Sequence, residues 1–134
     1  MLQSYSTNAL VAENEPIPIN SVTIEKGCTA VQTSPTTVDL NKCGVYMVSV
    51  NTSSTPSEAG LMSIQLYKNG VARPEATSAT TGVVDSTDAL SFVTLVQVTS
   101  NNSCKCCDSP TRVQIMNTGV GATHDVNVVI TKIC

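Results

Sequence analysis

The side chains most capable of chemistry in this sequence are six cysteines and a single histidine. Thiols can pair as disulfides, bind a metal ion as thiolates, or remain reduced and buried. The even number favours disulfides, for which six cysteines allow fifteen pairings. Three of the cysteines are clustered in an Asn/Ser-rich segment, and the full set is Cys28, Cys43, Cys104, Cys106, Cys107 and Cys134.

A zinc site is a second interpretation of the clustered cysteines. Thiolates at tetrahedral distance bind Zn²⁺ well, but Cys104-Lys105-Cys106-Cys107 lacks the C-x₂-C spacing of a zinc knuckle, and no histidine is near it in sequence. Reduced, buried thiols are the third interpretation. The residues alone leave these alternatives open, and we predict neither a metal nor another cofactor.

The histidine, His124, stands next to Asp125 before an apolar segment. A serine hydrolase would also need a positioned serine, and the Gly-x-Ser-x-Gly elbow that exposes such a nucleophile is absent from the sequence. We therefore predict that His124 is a loop residue, that the chain has no catalytic residues, and that it is not an enzyme.

Charge argues against nucleic acid as a partner. The chain has seven Lys and Arg residues against ten Asp and Glu, for a formal net charge of −3. Phosphate binding requires clustered basic side chains, and here they are scattered. No segment approaches the roughly 18 apolar residues of a membrane span, and residues 1–11 lack the basic start and apolar core of a signal peptide. We expect neither nucleic-acid binding nor membrane insertion.

The elements that position these residues are strands. Apolar and polar side chains alternate most clearly in residues 44–50, and the side chains that share one face there are Tyr46, Val48 and Val50. Residues 61–68 alternate likewise and lead into Asn69-Gly70, a pair preferred in type I′ hairpin turns. Eight to ten such segments, without helical periodicity, predict an all-β, two-sheet antiparallel sandwich.

The remaining segments are assigned by composition. Residues 1–15 are polar and end at Pro16, so we expect an N-terminal arm or attachment segment, or a first edge strand, before a domain over residues 16–134. Prolines in residues 16–22 predict an edge strand. The Ser/Thr/Pro-rich and small-residue stretches that we predict as loops are 52–59 and 80–88.

Residues 89–99 are apolar on both faces of the predicted strand. Leu90 and Phe92 point to one side, whereas Val93 and Leu95 point to the other. One face of a strand in a two-layer sandwich is normally in water, so a doubly apolar strand predicts that another subunit covers its outer face. The residues predicted to pack between subunits are Tyr46, Phe92, Val93 and Leu95.

Four segments, in this order and at this spacing, resemble the complement/tumour-necrosis-factor jelly-roll superfamily. The resemblance covers about residues 16–133 and is greatest to the globular heads of bacterial spore-surface glycoproteins and to trimeric head-fibre or decoration proteins of phages. The segments are Pro18-Ile-Asn-Ser-Val22, Cys43-Gly-Val-Tyr-Met-Val-Ser-Val50, Ile64-Gln-Leu-Tyr-Lys-Asn-Gly-Val-Ala-Arg-Pro74 and Val126-Asn-Val-Val-Ile-Thr-Lys-Ile133.

The resemblance implies a jelly roll of about ten strands, assembled as a compact homotrimer. In its strand order, the strand after Cys43 is flanked by the 89–99 strand and the C-terminal strand, both antiparallel to it. Cys43, Cys134 and the 104–107 group would then meet at one end of the sandwich, with Cys28 unassigned. The chain departs from the spore-surface proteins in having no Gly-x-y stalk and in carrying these cysteines.

In function, the resemblance implies a structural, non-enzymatic protein on a particle surface. The favoured interpretation is a phage capsid decoration or head-fibre protein on the virion, attached to a capsid protein through residues 1–15. One alternative is a receptor- or carbohydrate-binding head that contacts a host glycan through three loops, at residues 52–59, 80–88 and 117–123. Another is an extracellular head domain on a bacterial spore or cell surface.

Overall fold

The computed structural model describes residues 1–19, 21–27, 30–98 and 111–133. Within these ranges the regular structure consists of eleven β-strands, and no helix is long and apolar enough to cross a membrane. The strands are β1 (Leu2–Val11), β2 (Glu15–Pro16), β3 (Ser21–Glu25), β4 (Ala30–Ser34), β5 (Thr37–Leu40), β6 (Gly44–Pro56), β7 (Gly60–Lys68), β8 (Val71–Gly82), β9 (Asp88–Val98), β10 (Thr111–Asn117) and β11 (Ala122–Lys132).

The strands form two antiparallel sheets. One sheet has five strands in the order β3-β1-β11-β6-β9, and the other has the order β4-β5-β10-β7-β8, with the short β2 paired to β10. Most neighbours within a sheet are distant in sequence, so the chain crosses repeatedly between the sheets, as it does in a jelly roll. The predicted all-β, two-sheet jelly-roll fold is confirmed.

The core lies between the sheets and is built by strand alternation. Tyr46, Val48 and Val50 of β6 are fully buried, as their spacing predicts, and so are Met62 and Ile64 of β7 in the other sheet. Each such apolar side chain contributes roughly 1.5–3 kcal/mol when buried. The Tyr46 hydroxyl donates a hydrogen bond to the Lys42 carbonyl oxygen at 2.6 Å, so this buried polar atom is satisfied.

The hairpin between β7 and β8 follows from local sequence. Asn69 and Gly70 have φ angles of 52° and 81°, both in the left-handed region that a type I′ turn requires. The Asn69 side-chain oxygen also accepts a hydrogen bond from the Arg112 amide at 2.8 Å. The predicted turn is therefore confirmed, and a tertiary contact holds it against β10.

The N-terminal segment corrects one prediction. β1 is an inner strand of the five-stranded sheet, paired with β11 from Leu2 opposite Ile130 to Val11 opposite Ala122, and paired with β3 on its other side. Leu2 and Val11 are buried in the core. Residues 1–15 thus do not form a separate arm, and the sandwich begins at Leu2 rather than at residue 16.

Three boundaries also differ from prediction. β6 continues through Pro56 and β8 through Gly82, so the connections are limited to residues 57–59 and 83–87. The edge strand predicted at residues 16–22 lies further along the chain, as β3 (Ser21–Glu25), beyond the prolines. Proline lacks a backbone donor and is poorly placed in a ladder, which accounts for this shift.

Candidate functional site

The outer face of the five-stranded sheet has two chemically different halves. Pairing in register across β11, β6 and β9 sets their outward side chains in rows. The apolar half contains Val45, Met47, Val93, Leu95 and Val129, and Ser49, Gln97 and Thr131 stand in the same rows. The polar half consists of Tyr5, Thr7, Asn51, Ser53, Ser91, Asp125 and Asn127.

The apolar half is centred on β9, which forms an edge of its sheet. Val93 is 64% exposed and Leu95 is 56% exposed, and Leu95 lies opposite the exposed Met47 of β6. Tyr46 and Phe92 were predicted to pack between subunits, and this is corrected, since both are buried in the core of their own chain. Successive side chains of a strand point to opposite faces, and the even-numbered residues of β6 and β9 face inward. Tyr46 and Phe92 therefore lie in the core, whereas Val93 and Leu95 lie on the outer face.

The polar half contains a shallow concavity of about 470 Å³. A β-bulge in β1 forms part of its wall, because Thr7 and Asn8 together stand opposite Asp125. Asn8 has a φ of 52°, and its backbone amide donates to the Asp125 Oδ1 atom at 2.7 Å. The carboxylate of β11 thereby fixes the bulge.

Behind this face, three buried polar side chains form a hydrogen-bonded chain. His124 Nδ1 lies 2.6 Å from Ser54 Oγ, which lies 3.0 Å from Thr52 Oγ1. The Thr52 hydroxyl donates to the Leu90 carbonyl oxygen at 3.0 Å. His124 is fully buried on the inner face of β11, so the prediction of a loop histidine is wrong.

The number of protons needed by this row of hydrogen bonds determines the tautomer of His124. Three contacts require three protons, and the Nδ1–H form supplies one, with the Ser54 and Thr52 hydroxyls supplying the others. Nε2 then carries a lone pair, and it has no partner among the described residues. Burial lowers the pKa of His124 to about 4, because the imidazolium would lose its hydration.

This histidine and serine do not resemble a catalytic pair in their surroundings. Ser54 and His124 are both fully buried, so a substrate has no access to either. A hydrolase would also need a group that orients the imidazole from its second nitrogen, and Nε2 has no such partner in the described part of the chain. The arrangement serves to satisfy polar groups inside the sandwich.

The strand ends around Cys43 meet as the strand order predicts. Val98 at the end of β9 pairs with Gly44, and the Ile133 amide donates to the Val45 carbonyl oxygen at 2.8 Å. Cys43 is buried and disulfide-bonded. Cys28, Cys104, Cys106, Cys107 and Cys134 lie outside the described residues, so the cysteine cluster stays a prediction. Within the described ranges, no three His, Cys, Asp or Glu side chains converge as metal ligands would.

The connections predicted to contact a glycan lie at the opposite end of the sandwich from Cys43. The Ser57 hydroxyl donates to the Gly121 carbonyl oxygen at 2.7 Å, which joins the β6–β7 and β10–β11 connections. Thr87, before β9, lies 2.8 Å from Thr55 by their hydroxyl oxygens. The fold thus gathers these connections, although part of the predicted segments belongs to strands.

Asn117 was not identified from sequence, yet it links this end of the sandwich together. Its buried side-chain amide nitrogen donates to the carbonyl oxygens of Val11, Ala12 and Val120, at 3.1, 3.2 and 3.1 Å. An isolated asparagine near a Gly-rich turn gives no sequence signal of such a role, because two of its three acceptors, on Val11 and Ala12, come from a part of the chain more than a hundred residues away.

No protein-family model matches the chain, and no curated protein sequence matches it. Among solved structures, the globular domain of zebrafish complement 1qA is 12% identical with a TM-score of 0.65, and the match covers 96% of this chain and 94% of that one. Murine APRIL, crystallised at pH 5.0, is 7% identical with a TM-score of 0.69, covering 98% and 97%. The vertex protein P5 of phage PRD1 is 12% identical with a TM-score of 0.60, covering 99% and 96%.

These similarities extend over nearly the whole chain at very low sequence identity, so they establish the fold. The chain has the jelly-roll fold of these proteins, as the resemblance of its sequence segments predicts.

Proposed function

We propose that this chain is a non-enzymatic, homotrimeric structural protein on the surface of a particle, with a phage virion as the favoured location. The observation that carries the proposal is the apolar half of the outer face of the five-stranded sheet. Val93 and Leu95 lie there exposed although the core between the sheets is already complete without them.

Contact with a second copy would protect this face in two ways. It would bury apolar side chains, at about 25 cal/mol per Å² of apolar surface. It would also cover β9, an edge strand whose exposed apolar side chains otherwise favour aggregation. A closed ring of three identical subunits covers every copy of such a face, whereas open pairing would continue into fibres.

The particle surface is proposed from fold similarity, and the described residues offer no accessible catalytic group beside it. One structural neighbour is a phage vertex protein. Attachment through residues 1–15 as a free arm is not part of the proposal, because releasing β1 would expose Leu2 and Val11 and leave β11 paired on one side only, with β6. Docking therefore uses a surface of the folded sandwich.

Matched surface variants test the trimer. Leu95 and Leu61 are 56% and 54% exposed, and Val93 and Val71 are 64% and 65% exposed, but Leu61 and Val71 belong to the six-stranded sheet. We expect Leu95→Lys and Val93→Lys to convert the trimer to monomer in light scattering at micromolar concentration. Leu61→Lys and Val71→Lys are the controls and should leave the trimer intact.

Two results would contradict the proposal. A monomeric wild-type chain at micromolar concentration refutes the trimer, and equal dissociation by both pairs of variants places the subunit contact elsewhere. The location is tested separately by mass spectrometry of gradient-purified phage particles from the source. Absence of the chain from such particles refutes the virion role while leaving the trimer result standing.

A further inference from the structure

We propose that the end of the sandwich opposite Cys43 docks onto a protein that offers an apolar pocket surrounded by Lys and Arg side chains. The docking patch consists of three exposed aliphatic side chains, Leu61, Val83 and Val84. This inference rests on the proposed function and identifies the surface that meets the particle. The patch belongs to the six-stranded sheet and to the connection after β8, so it is separate from the face proposed for subunit contact.

The three residues of the docking patch are neighbours through strand register. Leu61 of β7 stands opposite Thr81 of β8, and Val83 follows Thr81 by two residues, just past the end of the strand. Diagonal neighbours at this spacing lie about 7–8 Å apart, within reach of long side chains. Val84 comes next in the same connection. Leu61, Val83 and Val84 are 54%, 63% and 47% exposed, so all three are open to a partner.

The connection that carries the two valines is a defined turn. The Ser86 amide donates to the Val83 carbonyl oxygen at 3.0 Å, and Asp85, the third residue of the turn, has a φ of 65°. Type II turns require a positive φ at that position. The turn chemistry requires no apolar residue at Val83 or Val84, and turns of this kind are usually built from Gly, Pro, Asn, Asp or Ser. Two adjacent exposed valines therefore indicate an intermolecular contact.

Charge around the docking patch determines the chemistry of its partner. Glu58 lies in the connection before β7, Asp85 lies in the valine turn, and Asp88 begins β9. In the part of the chain that the structure describes, all Lys and Arg residues lie toward the Cys43 end, and they are Lys26, Lys42, Lys68, Arg73, Arg112 and Lys132. An apolar patch surrounded only by carboxylates is complementary to an apolar pocket with a basic rim.

Other occupants fit this patch less well. A second copy that paired through the same patch would bring Glu58 and Asp85 against their own counterparts, because a two-fold contact joins identical surfaces. Nucleic acid and anionic membranes carry the same sign of charge as the patch and would be repelled. A basic protein surface has neither disadvantage. A trimer would present three copies of the patch, so that contacts that are weak singly could add.

The test measures binding to gradient-purified particles from a strain that lacks the gene for this chain. Wild-type protein and variants are added over a range of concentrations, and the bound amount is measured by co-sedimentation. We expect Val83→Lys and Leu61→Lys to weaken binding at least about tenfold, because each replaces an apolar contact with a charge that the basic rim repels.

Val71→Lys is the matched control for the apolar contact. Val71 is 65% exposed against 63% for Val83, and it begins β8 at the Cys43 end of the same sheet. The substitution adds the same charge to a side chain outside the docking patch. Binding of this variant should stay within about twofold of the wild type, as expected for a residue outside the contact.

A charge variant tests the basic rim of the partner. Asp85→Asn removes one carboxylate and keeps a side chain that tolerates left-handed backbone. Combined with Glu58→Gln, it should weaken binding about fivefold at low salt, and most of this difference should disappear at about 0.5 M salt, where exposed charges are screened. Glu25→Gln, at the Cys43 end, is the control and should bind like the wild type.

Several results would overturn the proposal. Equal binding by Val83→Lys and the wild type places docking elsewhere and leaves the particle role standing. Absence of wild-type binding to the particles refutes docking itself. Pairing of wild-type trimers that is lost in Val83→Lys would assign the patch to a second copy instead. Light scattering and thermal unfolding show whether each variant stays folded and trimeric, and a monomer that still docks through Val83 would refute the trimer alone.

Discussion

Acid should destabilise this protein through His124. The folded-state pKa of about 4 lies below the ordinary value of 6.5, so between these values the unfolded chain binds a proton that the folded chain does not. Stability is therefore full above pH 6.5 and falls as the pH decreases toward 4. Between pH 6.5 and 5.0 the loss is about 2 kcal/mol, from 1.5 pH units at about 1.36 kcal/mol each.

In this pH range the contribution of His124 can be measured without interference from a second histidine. His124 is the single histidine, so no other imidazole titrates between pH 7.5 and 5.0. The variant His124→Asn keeps a side-chain donor for Ser54 and cannot be protonated in this range. We expect guanidinium unfolding, at one protein concentration with disulfides intact, to show the loss of about 2 kcal/mol in the wild type and its absence in the variant.

The comparison concerns the pH dependence of each protein, so any constant cost of the substitution cancels. A histidine pKa near 6.5 by NMR of the folded protein would refute the reasoning. A wild-type stability that changes by less than about 0.5 kcal/mol between pH 7.5 and 5.0 would refute it as well. Either result would mean that water or another group reaches the imidazole.

Three further substitutions test the interior contacts by denaturant unfolding. Gly119→Ala would place a Cβ against the Leu61 carbonyl oxygen and 2.6 Å from the Ser63 amide nitrogen, so we expect the free energy of unfolding to fall by about 2 kcal/mol. Gly121→Ala is the control and should cost less, because its nearest neighbour is the movable Ser57 hydroxyl. Equal effects of the two substitutions would contradict the prediction. Asn117→Asp replaces the shared donor with a buried carboxylate that faces three carbonyl oxygens, and it should lower the free energy of unfolding by more than about 2 kcal/mol. Asn51→Asp changes an exposed side chain and should cost under about 0.5 kcal/mol. Similar costs for the two substitutions would refute this prediction. Tyr46→Phe removes the hydrogen bond to the Lys42 carbonyl oxygen and should lower the free energy of unfolding by about 1 kcal/mol. Tyr5→Phe is the control and should leave it unchanged. A Tyr46→Phe variant as stable as the wild type would show that this hydrogen bond contributes nothing.

The predictions that succeeded depend on local chemistry or on strand alternation. Asn69-Gly70 determines its turn because both residues tolerate positive φ. Tyr46 and Val48 lie in the core because their spacing of two places them on one face of β6. The superfamily resemblance added the order of strands around β6, which neither signal contains.

The predictions that failed involve partners distant in sequence. Thr52 and Ser54 were assigned to a loop because they are polar, yet they face inward, where His124 satisfies them from β11. Residues 1–15 have no strong strand pattern of their own, and their order comes from pairing with β11. The polarity of a single residue does not show whether a distant strand will supply its hydrogen-bond partner, because that depends on which strands become neighbours.

The position of β11 between β1 and β6 also has a consequence for biosynthesis. β1 is made before the other strands of the sandwich, but one of its two sheet neighbours, β11, is made more than a hundred residues later. Until residues 122–132 emerge, the five-stranded sheet has a gap at its centre and the outer face cannot form. Contacts this distant in sequence slow folding, and the outer face that we propose for subunit contact is complete only after β11 has been made. A nascent chain on a polysome therefore has no completed outer face with which to engage its neighbours prematurely.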